Sequence, residues 1–256
     1  MYDTASLALA GAEQASLLAR VAALAPHVTV IVMLLNARPV TFGGALGTDL
    51  LDGVGALLAG FRLGEEGGTA VFDILSGAAN PSGKLPMSWP RSVGQIFGPA
   101  SPYLYPFQGD HMWEDYTDAP SSPLFPFGRG FSYSAWAFSQ DAKATRTATG
   151  FTITVTLFNV GAVDGAQTVF VFLEDVVCSI VRVASRQIVA FDKVIAPAHG
   201  SAALSIDVPF DRLAVWTEGG AFVLEPGDFI FYIALEGPGA KGVFDAQTTV
   251  TVRVTV

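Results

Sequence analysis

The sequence predicts an α/β layer, mostly a parallel sheet with helices, followed by an all-β sandwich. Three observations carry this expectation. Over residues 1–95, apolar runs of strand length alternate with segments of helical period. From 96 to 136 the periodicity gives way to a connector rich in prolines and aromatics. From 137 to 256, short stretches alternate apolar and polar residues with period two, separated by Gly, Pro and Asp turns.

In the first segment Leu17, Leu18, Val21 and Leu24 share one helical face, and Pro26 closes the helix. His27 to Leu35 follows as a continuous β-branched and apolar run, the pattern of a strand buried on both faces of a parallel sheet. A second buried strand is expected over Val54 to Phe61. Glu65 and Glu66 then open a helix, where acidic side chains suit the positive end of the helix dipole. Its inner face carries Val71, Ile74 and Leu75, and Gly77 and Pro81 end it. Asn80 to Tyr133 reads as a long ordered connector, because so many aromatic rings are costly to leave in water. Beyond it, Phe151, Ile153, Val155 and Leu157 alternate with Thr152, Thr154 and Thr156. Val250, Val252, Val254 and Val256 alternate with Thr251, Arg253 and Thr255. Thr168–Leu173, Arg186–Phe191, Ala202–Val208 and Asp228–Leu235 add further strands, about seven in all, as a sandwich requires. The boundary between the two architectures falls between Ser134 and Gly150.

Composition narrows the function. Half of the 256 residues are apolar and 14% are charged, the profile of a folded chain with a sizeable core. The net charge is −9, with 14 Lys and Arg and no basic stripe, which argues against a nucleic-acid partner and suits a neutral one such as a sugar. Cys178 is the lone cysteine, so neither an intramolecular disulfide nor a cysteine zinc site is expected. His27, His111 and His199 have no ligand spacing, and no metal or other cofactor is expected. Gly64 to Gly68 lacks phosphate-loop spacing, and its two adjacent Glu side chains would repel a phosphate. No apolar run approaches the roughly 18 residues of a membrane span. Met1-Tyr2-Asp3 does not open a basic-then-apolar leader, so no signal peptide is expected and the compartment stays unassigned.

Several motifs, in order, resemble the C-terminal half of glycoside hydrolase family 3 enzymes of the bacterial β-glucosidase type. Leu35-Asn36-Ala37-Arg38-Pro39-Val40 is similar to the family's strand-ending Asn-Gly-Arg-Pro segment, and Gly64-Glu65-Glu66-Gly67-Gly68-Thr69-Ala70 to its Gly-x-Glu-Gly-Gly helix start. Asn80 to Pro90, continuing through Gln95, and Pro123 to Tyr133 are the strongest matches. Asn159-x-Gly161-x-x-Asp164-Gly165, Phe191-Asp192-Lys193 and Glu225-Pro226-Gly227 resemble the family's fibronectin type III-like module, an immunoglobulin-like sandwich. The departures are Arg129, where the family usually has Tyr or His, Ala37 in place of Gly, and Leu9-Ala10-Gly11 in place of Leu-Pro-Gly.

The resemblance implies a retaining β-glucosidase acting on β-linked glucosides or oligosaccharides. That chemistry needs two carboxyl groups about 5 Å apart, one as nucleophile and one as acid/base. In the family the nucleophilic Asp lies on an N-terminal (β/α)8 barrel of about 250 residues, for which this chain has no room. The acid/base Glu precedes a segment that aligns with Asp3 to Ser6, which places it at or before Met1, with Thr4 in the position of the following Arg. No catalytic residue is therefore expected within the chain, and alone it is predicted inactive. The alternatives are a non-catalytic carbohydrate- or protein-binding module and an inactive remnant. Asp110, Glu114, Asp115 and Asp118 cluster beside His111, Trp113 and Tyr116. They read either as a solvated acidic loop or as a sugar platform; in the second case Trp113 and Tyr116 are the binding residues, because aromatic faces pack on sugar C–H faces. Glu66 reads as a helix-dipole partner rather than a catalytic acid.

Overall fold

The structure, a computed structural model, describes residues 6–9, 11–44, 47–96, 118–120, 122–181, 183, 186–239 and 244–256. Described strands far outnumber described helices. The two α-helices and the only parallel strand pair described lie in the first 76 residues.

Helix α1 (Ala12–Ala22) follows Gly11, whose φ of 78° is open to glycine at little cost. It buries Leu18 and Ala22, whereas Leu17 is 62% exposed and Val21 and Leu24 also face solvent. The expected apolar face is thus only partly used. Leu18 joins Leu34, Phe42 and Trp89 in one cluster, and no described element covers the stripe beside it. Strand β1 (Val30–Leu34) is shorter than the expected His27–Leu35 run, because the amides of His27 and Val28 both bond back to the Leu24 carbonyl and prolong the helical turn. It pairs in parallel with β2 (Val54–Ala59), from Val30↔Val54 to Leu34↔Ala59. The expectation of strands buried on both faces is corrected: Ile31 is 46% exposed, and Gly55 and Ala56 are exposed as well. Among the described residues this sheet has two strands, and the cluster around Leu34 and Phe42 covers one side of it.

Helix α2 (Gly67–Ser76) ends on Gly77 in the left-handed conformation, the usual glycine C-cap. Val71 and Ile74 are half-buried, but Leu75 is exposed, as is its neighbour Phe72. The inner face is therefore narrower than the sequence suggested.

The connector's two recognisable motifs are partners. Residues 85–89 run antiparallel to 124–129: the Trp89 amide donates to the Phe125 carbonyl at 2.7 Å, Leu124 to Trp89 at 2.8 Å, Gly128 to Leu85 at 2.8 Å and Leu85 to Arg129 at 2.9 Å. Trp89 is 1% exposed and its indole N–H donates to the Val40 carbonyl at 2.7 Å, tying this ribbon to the α/β cluster.

The remaining strands are β3 (Trp136–Phe138), β4 (Lys143–Arg146), β5 (Gly150–Asn159), β6 (Gly165–Asp175), β7 (Gln187–Ala196), β8 (Ser201–Pro209), β9 (Val215–Trp216), β10 (Phe222–Val223), β11 (Asp228–Ala234) and β12 (Thr249–Thr255). One antiparallel sheet runs β12-β11-β6-β7; in the other, β3 and β4 pair with one edge of β5 and β8 with its other edge. Strand β7 extends five residues past the expected Phe191. Its charged Asp192-Lys193 pair hides the alternation in sequence. Phe151, Ile153, Val155 and Leu157 point inward against Val169, Val171, Phe229, Phe231 and Ile233. The Phe151 and Phe231 rings meet edge to face at 5.7 Å.

Candidate functional site

Two places bring sequence motifs together. The first lies beyond the carboxyl ends of β1 and β2, where open parallel sheets bind their ligands. Leu35, Asn36 and Ala37 leave β1; Phe61, Arg62, Leu63 and Gly64 leave β2; Gly67 and Gly68 begin α2. Together they line a crevice of about 480 Å³. Phe61 holds φ at 51°, a left-handed conformation uncommon for a non-glycine residue, and so turns the chain away from β2 into the crevice wall. Gly67 allows the helix to start close: a Cβ there would sit 2.6 Å from that of Leu63. The Asn36 amide donates to the Arg38 carbonyl at 2.6 Å, and the Arg38 guanidinium donates to the Ser6 carbonyl at 2.7 Å. The Asn36 Oδ1 is buried with no donor among the described residues. Among the described residues no carboxylate lines the crevice, and its polar side chains are those of Asn36 and Arg62.

The second place is the seam between the α/β segment and the sandwich. Asn80 is its hub. Its Oδ1 accepts from the Ser132 hydroxyl and the Tyr133 amide, both at 2.8 Å. Its Nδ2 donates to Ser134 Oγ at 2.9 Å and to the Asp164 carbonyl at 2.8 Å. Ser134 passes its own proton to the Val163 carbonyl, and Asn159 holds the same carbonyl from the other side at 2.8 Å. Gly165 must lack a side chain here, since a Cβ would lie 2.7 Å from Ser134 Oγ and 3.0 Å from Asn80 Nδ2. Nearby, Phe127 packs edge-on to Phe170 at 5.1 Å, and Arg129 forms an ion pair with Glu236 at 2.8 Å. Lys84 Nζ donates to the Gly130 carbonyl, and burial pushes its ammonium down to about 8, opposed by the attraction of Glu236.

Trp113 and Tyr116, with Asp110, His111, Glu114 and Asp115, lie outside the described residues. Asp118 is described and exposed. Glu66 stands at the N-cap of α2 without capping it; its carboxylate accepts from the Thr69 hydroxyl at 3.1 Å. Among the described residues no three His, Cys, Asp or Glu side chains are grouped to hold a metal, and no helix is long and apolar enough to cross a membrane. The motifs were legible in sequence, but the hub role of Asn80 and the Arg129–Glu236 pair were not. Their partners lie 52 to 107 residues away.

Comparison with known proteins agrees with the motif order. The glycosyl hydrolase family 3 C-terminal domain matches residues 1–133, and the fibronectin type III-like domain matches residues 167–236. The periplasmic β-glucosidase of Salmonella typhimurium is 31% identical over 221 residues, 83% of this chain and 28% of that protein. A β-xylosidase of Formosa agariphila is 28% identical over 88% of this chain and 30% of its own length. The crystal structure of the Listeria innocua β-glucosidase with glucose superimposes with a TM-score of 0.78 at 26% identity, over 99% of this chain and 34% of that one. A β-glucosidase of Erythrobacter marinus gives 0.81 at 27% identity, over 100% of this chain and 31% of that one. The chain thus spans about a third of the length of the proteins it matches. With more than half of its residues in the C-terminal domain match and the sandwich motifs following in order, the chain belongs to glycosyl hydrolase family 3.

Proposed function

We infer that this chain is the C-terminal portion of a retaining β-glucosidase-type hydrolase. It supplies the later part of an α/β sandwich domain (1–95), a connector (96–136) and a fibronectin type III-like sandwich (137–256). The observation that carries this reading is the match of residues 1–133 to the glycosyl hydrolase family 3 C-terminal domain, in a chain that covers about a third of proteins named as β-glucosidases and β-xylosidases. The catalytic carboxyl groups belong to polypeptide outside these residues: two described parallel strands are far from the eight of a barrel, and among the described residues the crevice carries no carboxylate. In the assembled enzyme Trp113 and Tyr116 contribute an aromatic surface for a β-linked glucoside.

The test compares two proteins. The 256-residue chain alone should not turn over an aryl β-glucoside. The same chain substituted for the corresponding third of the Listeria innocua β-glucosidase should restore hydrolysis with retention of the β-anomer, followed by NMR. Turnover by the chain alone, or a soluble folded chimera releasing the α-anomer, refutes the reading. In the active chimera, replacing Trp113 and Tyr116 by Ala should raise KM; an unchanged KM removes them from the substrate site.

A further inference from the structure

In a protein of net charge −9, three of its 14 cationic side chains converge on one small part of the seam. Lys84 comes from the ribbon strand 85–89 end, Arg129 from the strand facing it, and Lys193 from β7 of the sandwich, whose Nζ donates to Ser82 Oγ at 2.8 Å. Glu236, just past β11, is the single carboxylate among them in the described residues, and Arg129 takes both of its oxygens, at 2.8 and 3.0 Å. Three cations against one anion leave two excess positive charges when Lys84 is protonated and one when it is not. Arg129, Lys193 and Glu236 are the charged groups acting on Lys84, from the ribbon, from β7 and from the turn after β11. The Lys84 amine needs no charge for its contact with the Gly130 carbonyl, because the neutral amine still donates.

We propose that the Lys84–Arg129–Glu236–Lys193 cluster is a pH-sensitive clasp between the α/β segment and the sandwich, drawn tighter when Lys84 gives up its proton. The direction follows from linkage. Lys84 holds its proton less well in the folded chain, with a midpoint of about 8, than in the unfolded one, at 10.5. The unfolded chain therefore binds more protons between those values, and the folded state gains as pH rises through them. Relative to a chain without this amine, the unfolding equilibrium constant should fall about 25-fold between pH 7 and pH 9.5.

The chain has four lysines, which makes the test direct. With 13C-labelled lysine, one Cε resonance, lost in Lys84→Met, should titrate with a midpoint near 8. Arg129→Tyr should move that midpoint up, and Glu236→Gln should move it down. Urea unfolding of the wild type and of Lys84→Met, from pH 7 to 9.5, should show the extra pH slope only in the wild type. No lysine Cε resonance with a midpoint near 8, or equal slopes in the two proteins, overturns the clasp. The NMR titration uses the unaltered chain, so it decides the matter even if a variant fails to fold. None of these readouts involves hydrolysis, so a failed clasp is distinct from a failed assignment of activity.

Discussion

Replacing Asn80 by Ala removes four hydrogen bonds at once, and their settings fix the size of the loss. The bonds to Ser132 Oγ and Ser134 Oγ are partly buried; those to the Tyr133 amide and the Asp164 carbonyl are open enough for water to replace. At about 1 kcal/mol for each of the first two and about 0.5 for each of the others, Asn80→Ala should cost about 3 kcal/mol. Asn80→Asp sharpens the argument. It keeps the two accepting contacts but loses both donors and turns a carboxylate oxygen toward the Asp164 carbonyl. Ser134 cannot answer by donating, because its proton is committed to the Val163 carbonyl at 2.6 Å. Asn80→Asp should therefore lose at least half as much stability as Asn80→Ala, despite being nearly isosteric. Urea denaturation of the full chain, followed by far-UV circular dichroism, measures both. An Asn80→Ala midpoint within the equivalent of 0.5 kcal/mol of wild type, at equal m-value, would refute the hub role.

Two further outcomes follow from the sandwich face of the seam. Gly128→Ala should destabilise by about 3 kcal/mol in a thermal melt. Its φ of 77° disfavours any Cβ, and that Cβ would lie 2.7 Å from Phe170 Cε2 and 3.1 Å from Glu236 Cα. Tyr232, whose hydroxyl donates to Glu174, is pushed up to about 12, first by burial and then by that bond. The unfolded phenol ionises near 10, so the folded chain alone keeps the proton above that pH; the stabilisation is full below 10 and fades toward 12. Tyrosinate absorbance of the folded chain should show one slow-to-ionise phenol, and Tyr232→Phe should remove it.

What the sequence disclosed depended on how far each determinant reaches. The sandwich strands were legible because alternation is local: Phe151 to Leu157 and Val250 to Val256 reveal their faces within seven residues. The α1 stripe was legible as apolar but not in phase, since Leu17, Leu18 and Val21 are equally apolar and only the position of Phe42 and Trp89 selects Leu18. Burial of β1 and β2 on both faces was overestimated, because apolar residues state what a face tolerates and not whether another layer covers it. The crevice was invisible because it is assembled from three strand- and helix-end loops, and its distinguishing atom, Asn36 Oδ1, is defined by the lack of a neighbour. The Asn80 motif stood out by its likeness to the family's, but a local motif says nothing of a carbonyl at Asp164.

The seam's long separations also order events during synthesis. Phe127 leaves the ribosome well before Phe170, and Glu236 follows Arg129 at a separation of 107 residues. At roughly 5–20 residues per second, the pairing ribbon stays unclasped for about 5–20 s, with the Phe127 ring uncovered for the first part of it, until Phe170 follows. Synonymous codon changes that slow translation between Arg129 and Glu236 should lengthen that interval without altering a single contact in the finished protein. The yield of soluble chain would then depend on tempo as well as on stability.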